Sequence, residues 1–394
     1  MIPYGRQKIN FFDVINVIKQ LSFNSLTQGS KISEFEDQVA RYVGAKYAVA
    51  VSSATAGLHL AVQALELPTS SDVITSPISF VASSNSVLYS GHNPIFIDID
   101  RNTINLDISQ VEQEITSNRN VKAVIPVHFS GLPCDMSLLN KTCSPRGIKI
   151  IEDAAHALGA SYSNGKKVGS CENSDMTVFS FHPVKSITTG EGGMITTNSE
   201  SLYKKLLRLR SHGINKLNDP FESQVQSMTG GLVNPWYYEM QELGFNYRLT
   251  EIQAALGISQ LTRLDKFIQR RELRVARYQK ALMNLPYIKP AQAHISASSA
   301  NHIFAIRIDF TKIKISRAEL MVLLRKHGIG SQVHYMPIPL HPFYKRLGFN
   351  VENLPESMSY YHEALTLPLY PYLKISEQRK VIDTLRYLIG SLSS

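Results

Sequence analysis

Short apolar and β-branched runs recur along the first half of the chain, at 48–51, 73–75, 95–98, 123–127, 149–152, 176–180 and 193–197. Each is too short for a helix and is bounded by polar or glycine-containing stretches, so the seven read as buried strands. Between several of them the apolar positions follow a helical period instead, at 57–67, 80–90 and 136–146, with a further such stretch at 200–212. Strands alternating with helices predict an α/β fold, in which a mostly parallel seven-stranded sheet is covered on both faces. A ligand of such a sheet binds beyond the carboxyl ends of its strands.

The second half follows a different pattern. A nearly unbroken helical period runs over 249–285, opened by Thr250 as N-cap, and a loop rich in Ala and Ser covers 286–300. An α+β unit follows, with a strand at 302–309, a helix at 317–327, a strand at 331–335 and a last helix at 377–389. The division expected is a large domain over 1–260 and a smaller α+β domain over 261–394.

Composition adds mainly exclusions. Hydrophobic residues make up 43% and charged residues 19% of the 394 positions, as in an ordinary soluble globule. No apolar run is long enough to span a membrane, and the start Met1-Ile2-Pro3-Tyr4-Gly5-Arg6 lacks the apolar centre of a signal peptide, so a cytoplasmic protein without a membrane partner is expected. Cys134, Cys143 and Cys171 are an odd number without metal-ligand spacing, which argues against a disulfide framework and a metal site. The net charge of +9 is spread along the chain, and its denser clusters, at 204–210 and 263–277, lie in helical stretches without a basic arm. That distribution points away from nucleic acid and toward small anionic ligands.

The candidate chemistry gathers around Lys185. It follows the strand at 176–180 just past Pro183, is expected to be walled by Phe179, Phe181 and Val184, and is followed by Gly190, Gly192 and Gly193. Apolar surroundings disfavour its charged form, and a neutral amine condenses with an aldehyde such as that of pyridoxal phosphate (PLP). A surface lysine in a loop is the competing reading. The turn Ser52-Ser53-Ala54-Thr55-Ala56-Gly57 joins a strand to a helix and suits either a phosphate at the helix N-terminus or a plain N-cap. Asp153 directly follows an apolar strand, where a buried carboxylate needs a cationic partner such as a protonated pyridine nitrogen; capping a following helix is the alternative. Phe80, after the second strand, suits either ring stacking or the core.

Phe181-His182-Pro183-Val184-Lys185 and Thr188-Thr189-Gly190-Glu191-Gly192-Gly193 resemble the signature of the DegT/StrS sugar aminotransferases, and the similarity extends from Tyr4 to Tyr335. The resemblance implies a fold-type I PLP-dependent transferase in which Lys185 carries the cofactor and Asp153 meets its pyridine nitrogen. Thr55, Ala56 and Ser180 match phosphate-binding positions, Phe80 the stacking aromatic, and Asn246 an asparagine that reaches cofactor or substrate across a homodimer with shared sites. His156 stands where many relatives have a glutamine on the cofactor's ring oxygen, which keeps hydrogen bonding available and leaves the protonation state open. Tyr4, Asn24, Ser25, Leu26 and Thr27 match N-terminal substrate contacts, with the first ~30 residues folding over the active site. Gln332, Val333, His334 and Tyr335 match a C-terminal contact, and Ala56, Ser180 and Asn246 also match substrate-binding positions. The detail resembles members of pseudaminic acid biosynthesis, so the partners expected are glutamate, released as 2-oxoglutarate, and a UDP-linked 4-keto sugar.

Overall fold

All seven strands expected in the first half pair into one sheet. They are β1 (Tyr47–Val51), β2 (Asp72–Thr75), β3 (Asn93–Phe96), β4 (Val121–Ile125), β5 (Lys149–Asp153), β6 (Met176–Ser180) and β7 (Gly193–Thr197), in the order β1-β7-β6-β5-β4-β2-β3. The computed structural model describes residues 1–216, 219–283, 285–292 and 297–392. Residues 284 and 293–296, which fall within the predicted long helix and the predicted loop, lie outside the described residues.

β7 alone runs antiparallel to both its neighbours. A parallel return needs a crossover, usually a helix, and no helix lies between β6 and β7. The connecting segment therefore stays at the carboxyl edge of the sheet, and Lys185 lies within it. All residues of β6 and β7 are buried, as a sheet covered on both faces requires.

The N-terminal segment forms two helices that the hydrophobic pattern did not predict, α1 (Phe11–Phe23) and α2 (Ser30–Val43). Asn10 and Asp13 form a capping box at the start of α1. Asp13, fully buried, also accepts from Ser259 Oγ at 2.7 Å, Gln260 Nε2 at 2.8 Å and Arg263 Nη2 at 2.5 Å. The single helix expected over 249–285 is two helices, Glu251–Leu261 and Leu264–Leu282. Arg263, between them, has φ −115° and ψ 4°, outside the helical range, and its guanidinium meets the Asp13 carboxylate. A contact with the distant N-terminus thus accompanies a break that local periodicity did not register.

The C-terminal unit is built on a three-stranded antiparallel sheet of Ile288–Pro290, Phe304–Ile308 and Ala364–Leu367. Helices Arg317–Lys326 and Ile375–Leu392 add residues to its separate core. The strand expected at 331–335 does not form: only Gln332 bridges Thr366. Beyond that bridge the His334 carbonyl accepts from Tyr360 Oη at 2.5 Å and the His334 ring pairs with Thr366 Oγ1 at 2.9 Å, so side-chain contacts replace the ladder.

One buried carboxylate joins the units. Asp98, at the edge of the large sheet, accepts the N–H groups of Glu356 and Ser357, both at 2.8 Å, at the start of helix Pro355–Glu363. Within the C-terminal unit, buried Arg271 donates to the carbonyls of His302 at 2.8 Å and Leu369 at 3.2 Å. Among the described residues no helix is long and apolar enough to cross a membrane.

Candidate active site

Beyond the carboxyl ends of β1, β2, β4, β5 and β6 lies a cavity of about 690 Å³. From the large sheet come Thr55, Phe80, Asp153, His156, Ser180 and Lys185. The C-terminal unit closes it with Gln332, Val333, His334 and Tyr335, and the N-terminus adds Tyr4. Eleven predicted positions, spread from Tyr4 to Tyr335, therefore converge on one space.

Burial drives the Lys185 ammonium down to about 8, and the nearby Asp153 carboxylate opposes the fall. The walls differ from expectation. Phe179 and Phe181 lie in the main core, Phe181 against Phe35 at 5.1 Å, and only Val184 of the predicted three lines the cavity. Alternation along the strand and its exit sends the aromatic rings inward, away from the lysine.

Asp153 is 6% exposed and accepts from Ser83 Oγ at 2.6 Å and the Ala155 N–H at 3.1 Å. No helix follows it, so it is not a helix cap. Among the described residues it has no ion-pair partner, and its Coulomb contact is with Lys185. Its neighbour Glu152, on the opposite face of β5, is saturated instead. His128 Nε2 lies at 2.6 Å, Tyr162 Oη at 2.5 Å, Ser174 Oγ at 2.5 Å and Thr177 Oγ1 at 2.8 Å. These bonds, led by that from His128, outweigh burial and hold the Glu152 carboxyl below its usual range.

Helix α3 (Ala54–Ala64) starts three residues earlier than predicted. Ser53 is its N-cap and accepts the Ala56 N–H at 3.1 Å, a cap that occupies one of the helix's free donors and leaves others at the same turn. Thr55 lines the cavity, whereas Ala56 is buried beside it. Gly193 makes the fit possible: a Cβ there would sit 2.7 Å from the Ser53 carbonyl carbon. Phe80 is 61% exposed with its ring on the cavity, which excludes the core reading.

His156 is buried, and burial followed by the charges of Lys185 and His334 keeps it neutral. Its Nε2 pairs with Tyr335 Oη at 3.2 Å, and its Nδ1 has no partner among the described residues. Burial and then Lys185 lower His334 to about 4. The set fits PLP: a near-neutral amine, an acid without a cation, hydroxyls at a helix N-terminus, an open aromatic ring and an unpartnered ring nitrogen.

Asn24, Ser25, Leu26 and Thr27 are exposed and, like exposed Asn246, do not line this cavity. Glu251 ties their two segments together. Its carboxylate accepts the N–H groups of Gly29 at 2.9 Å and Lys31 at 2.7 Å, and its own N–H donates to the Leu26 carbonyl at 3.1 Å. Two residues escaped sequence reasoning. Ser83 lay in the turn that contains Phe80, where a hydroxyl facing Asp153 was a usable signal; His302 read only as a strand residue.

A model of the DegT/DnrJ/EryC1/StrS aminotransferase family matches residues 9–386. The spore coat polysaccharide biosynthesis protein SpsC of Bacillus subtilis is 37% identical over 390 residues, 98% of this chain and 97% of that protein. The UDP-4-amino-4,6-dideoxy-N-acetyl-beta-L-altrosamine transaminase of Campylobacter jejuni is 36% identical over 386 residues, 98% of this chain and 96% of that protein. Among solved structures, Helicobacter pylori PseC, an aminotransferase of pseudaminic acid biosynthesis, superposes with a TM-score of 0.90 at 31% identity, covering 99% of this chain and 100% of that one.

Proposed function

The chain belongs to the DegT/DnrJ/EryC1/StrS aminotransferase family, whose members depend on PLP, and from that premise we propose which sugar it aminates and which residues do so. It is a sugar aminotransferase. The acceptor we assign is UDP-2-acetamido-2,6-dideoxy-β-L-arabino-hex-4-ulose, converted with glutamate to UDP-4-amino-4,6-dideoxy-N-acetyl-β-L-altrosamine. Such a reaction serves pseudaminic acid biosynthesis and flagellin glycosylation in the cytoplasm. The Campylobacter transaminase and the PseC structure support this choice.

One observation carries the site assignment: the near-neutral amine of Lys185 and the buried carboxylate of Asp153 share one cavity, and among the described residues Asp153 has no ion-pair partner of its own. When bound, PLP supplies an electron sink for the carbon that loses a proton. Lys185 holds the cofactor and, once released, moves a proton at its Nζ from the α-carbon of glutamate and later to the sugar carbon. Asp153 keeps the pyridine nitrogen protonated, His156 meets the ring oxygen, and Phe80 covers the ring. Ser180, Thr55 and the free N–H groups at the start of α3 receive the phosphate beside Ala56, whose own N–H is held by Ser53.

Tyr4, Gln332, Val333, His334 and Tyr335 contact the sugar from the same chain. Asn24, Ser25, Leu26, Thr27 and Asn246 act from the second subunit of a homodimer. Their absence from the chain's own cavity and their common attachment through Glu251 support that division. Mixing inactive Lys185→Ala and Asn246→Ala subunits restores activity if sites are shared, and no rescue removes the cross-subunit role.

A second reading, amination of another nucleotide keto sugar such as a D-configured 4-keto or a dTDP-3-keto sugar, is favoured by SpsC, a relative at 37% identity named for a different polysaccharide. Incubation with glutamate and a panel of nucleotide keto sugars, with products read by mass and NMR, decides between them. Amination of the UDP-β-L-arabino 4-keto sugar alone supports the first; its rejection alongside turnover of another keto sugar establishes the second.

A further inference from the structure

One histidine in the cavity wall has no assigned purpose. His302, two residues before strand Phe304–Ile308, lines the cavity and packs its ring on that of His156, with centroids 4.3 Å apart and planes at 40°. It is 4% exposed, and its backbone is held at both ends: its N–H donates to the Ser130 carbonyl at 2.8 Å and its carbonyl accepts from Arg271 Nη1 at 2.8 Å. The imidazole is thus presented to His156 by a rigid frame. Both Nδ1 atoms, of His156 and of His302, are buried without a partner among the described residues.

We infer that His302 is a positioning residue: its ring seats His156 against the cofactor and shields it from water, so that His156 meets the ring oxygen as an uncharged imidazole. The inference rests on the reading that His156 contacts that oxygen.

The surroundings of His156 give the shield its direction. Lys185 and His334 face it with positive or potentially positive charge, Tyr335 Oη pairs with its Nε2, Phe129 approaches with ring centroids 6.5 Å apart, and Arg271 stands behind His302. Asp153, three residues earlier, is the nearby acid and is engaged with Ser83 and Ala155. Burial is the largest cause of His156 neutrality, and His302 forms the face that a smaller side chain would open to water. A hydrated His156 would titrate near the ordinary range and, once cationic, favour the anion of the ring oxygen. The lysine-bound cofactor would then lose its proton at a lower pH.

The test is a spectral titration of the PLP-loaded protein, reading the pH midpoint of visible absorbance and using circular dichroism to confirm the fold. His302→Ala lowers the midpoint by about one unit. His302→Phe restores it, because a flat ring again covers His156. In a His156→Asn background, His302→Ala produces no further shift. The inference is overturned if His302→Ala leaves the midpoint in place while His156→Asn moves it. Equal shifts from the Ala and Phe variants also overturn it, because a nitrogen rather than the ring would then be responsible. A midpoint that His156→Asn fails to move removes instead the reading of His156 on the ring oxygen. Should His302→Ala not fold, His302→Asn takes its place with the same expected shift.

Discussion

The two faces of β5 carry adjacent carboxylates with opposite fates. Glu152 meets His128, Tyr162, Ser174 and Thr177, and its bonding capacity is used up inside the protein. Asp153, one residue on, accepts from Ser83 and one backbone N–H, and its remaining capacity faces the cavity. Both are buried, so burial alone does not distinguish structure from function. What separates them is saturation: a fully partnered acid stabilises the fold, and one left open is poised for a ligand.

The largest expected effect lies beside the open acid. Lys185→Ala lowers turnover by about 10⁴-fold, while apoprotein stability changes by about 0.5 kcal/mol. Borohydride reduction and peptide mapping of the PLP-loaded wild type label position 185, and wild-type turnover by the variant would remove the lysine from the reaction. Asp153→Asn comes next, with a loss of about 10²–10³-fold in kcat and a stability change of about 1 kcal/mol in the apoprotein.

Glu152→Gln reverses that profile. It costs about 3 kcal/mol of stability in chemical denaturation and leaves kcat per folded molecule within about threefold. Because the folded-state pKa of Glu152 is depressed, its stabilisation is present above the unfolded value and is lost as pH falls through the folded one. The Gln variant therefore shows a shallower loss of stability in acid. If Glu152→Gln lowers kcat as much as Asp153→Asn does, the contrast between the two faces fails.

Smaller effects sharpen the comparison. The Lys185 amine, lowered to about 8, makes recapture of PLP by apoprotein slow about tenfold per pH unit below that value and level off above it. A rate flat from pH 6 to 9 would contradict it. Ser83→Ala removes one donor from Asp153 and weakens PLP binding by about 1 kcal/mol, measured as an increase in Kd of several-fold.

Much of this was readable from the residues in order. The seven strands announced themselves as short apolar runs, because burial on both faces of a sheet imposes a local pattern. Lys185 and Asp153 stood out because each follows such a run. The helix over 249–285 was misread as one piece because the residue at its break, Arg263, looks to Asp13 across 250 positions. The strand at 331–335 was misread because its alternation is satisfied by side-chain contacts with Thr366 and Tyr360 rather than by a ladder. Phe80 admitted two readings until its exposure was known.

The order of the residues thus determined the elements and the chemically able side chains, since period and strand-end position are short-range properties. Only the tertiary structure decided which of two neighbouring acids is full and which is open. The partners of Glu152 come from 128, 162, 174 and 177, and no local pattern encodes that they meet on one face of β5 while the other faces the cavity. Hydrogen bonds saturate in space, and proximity in space is what folding adds to a chain.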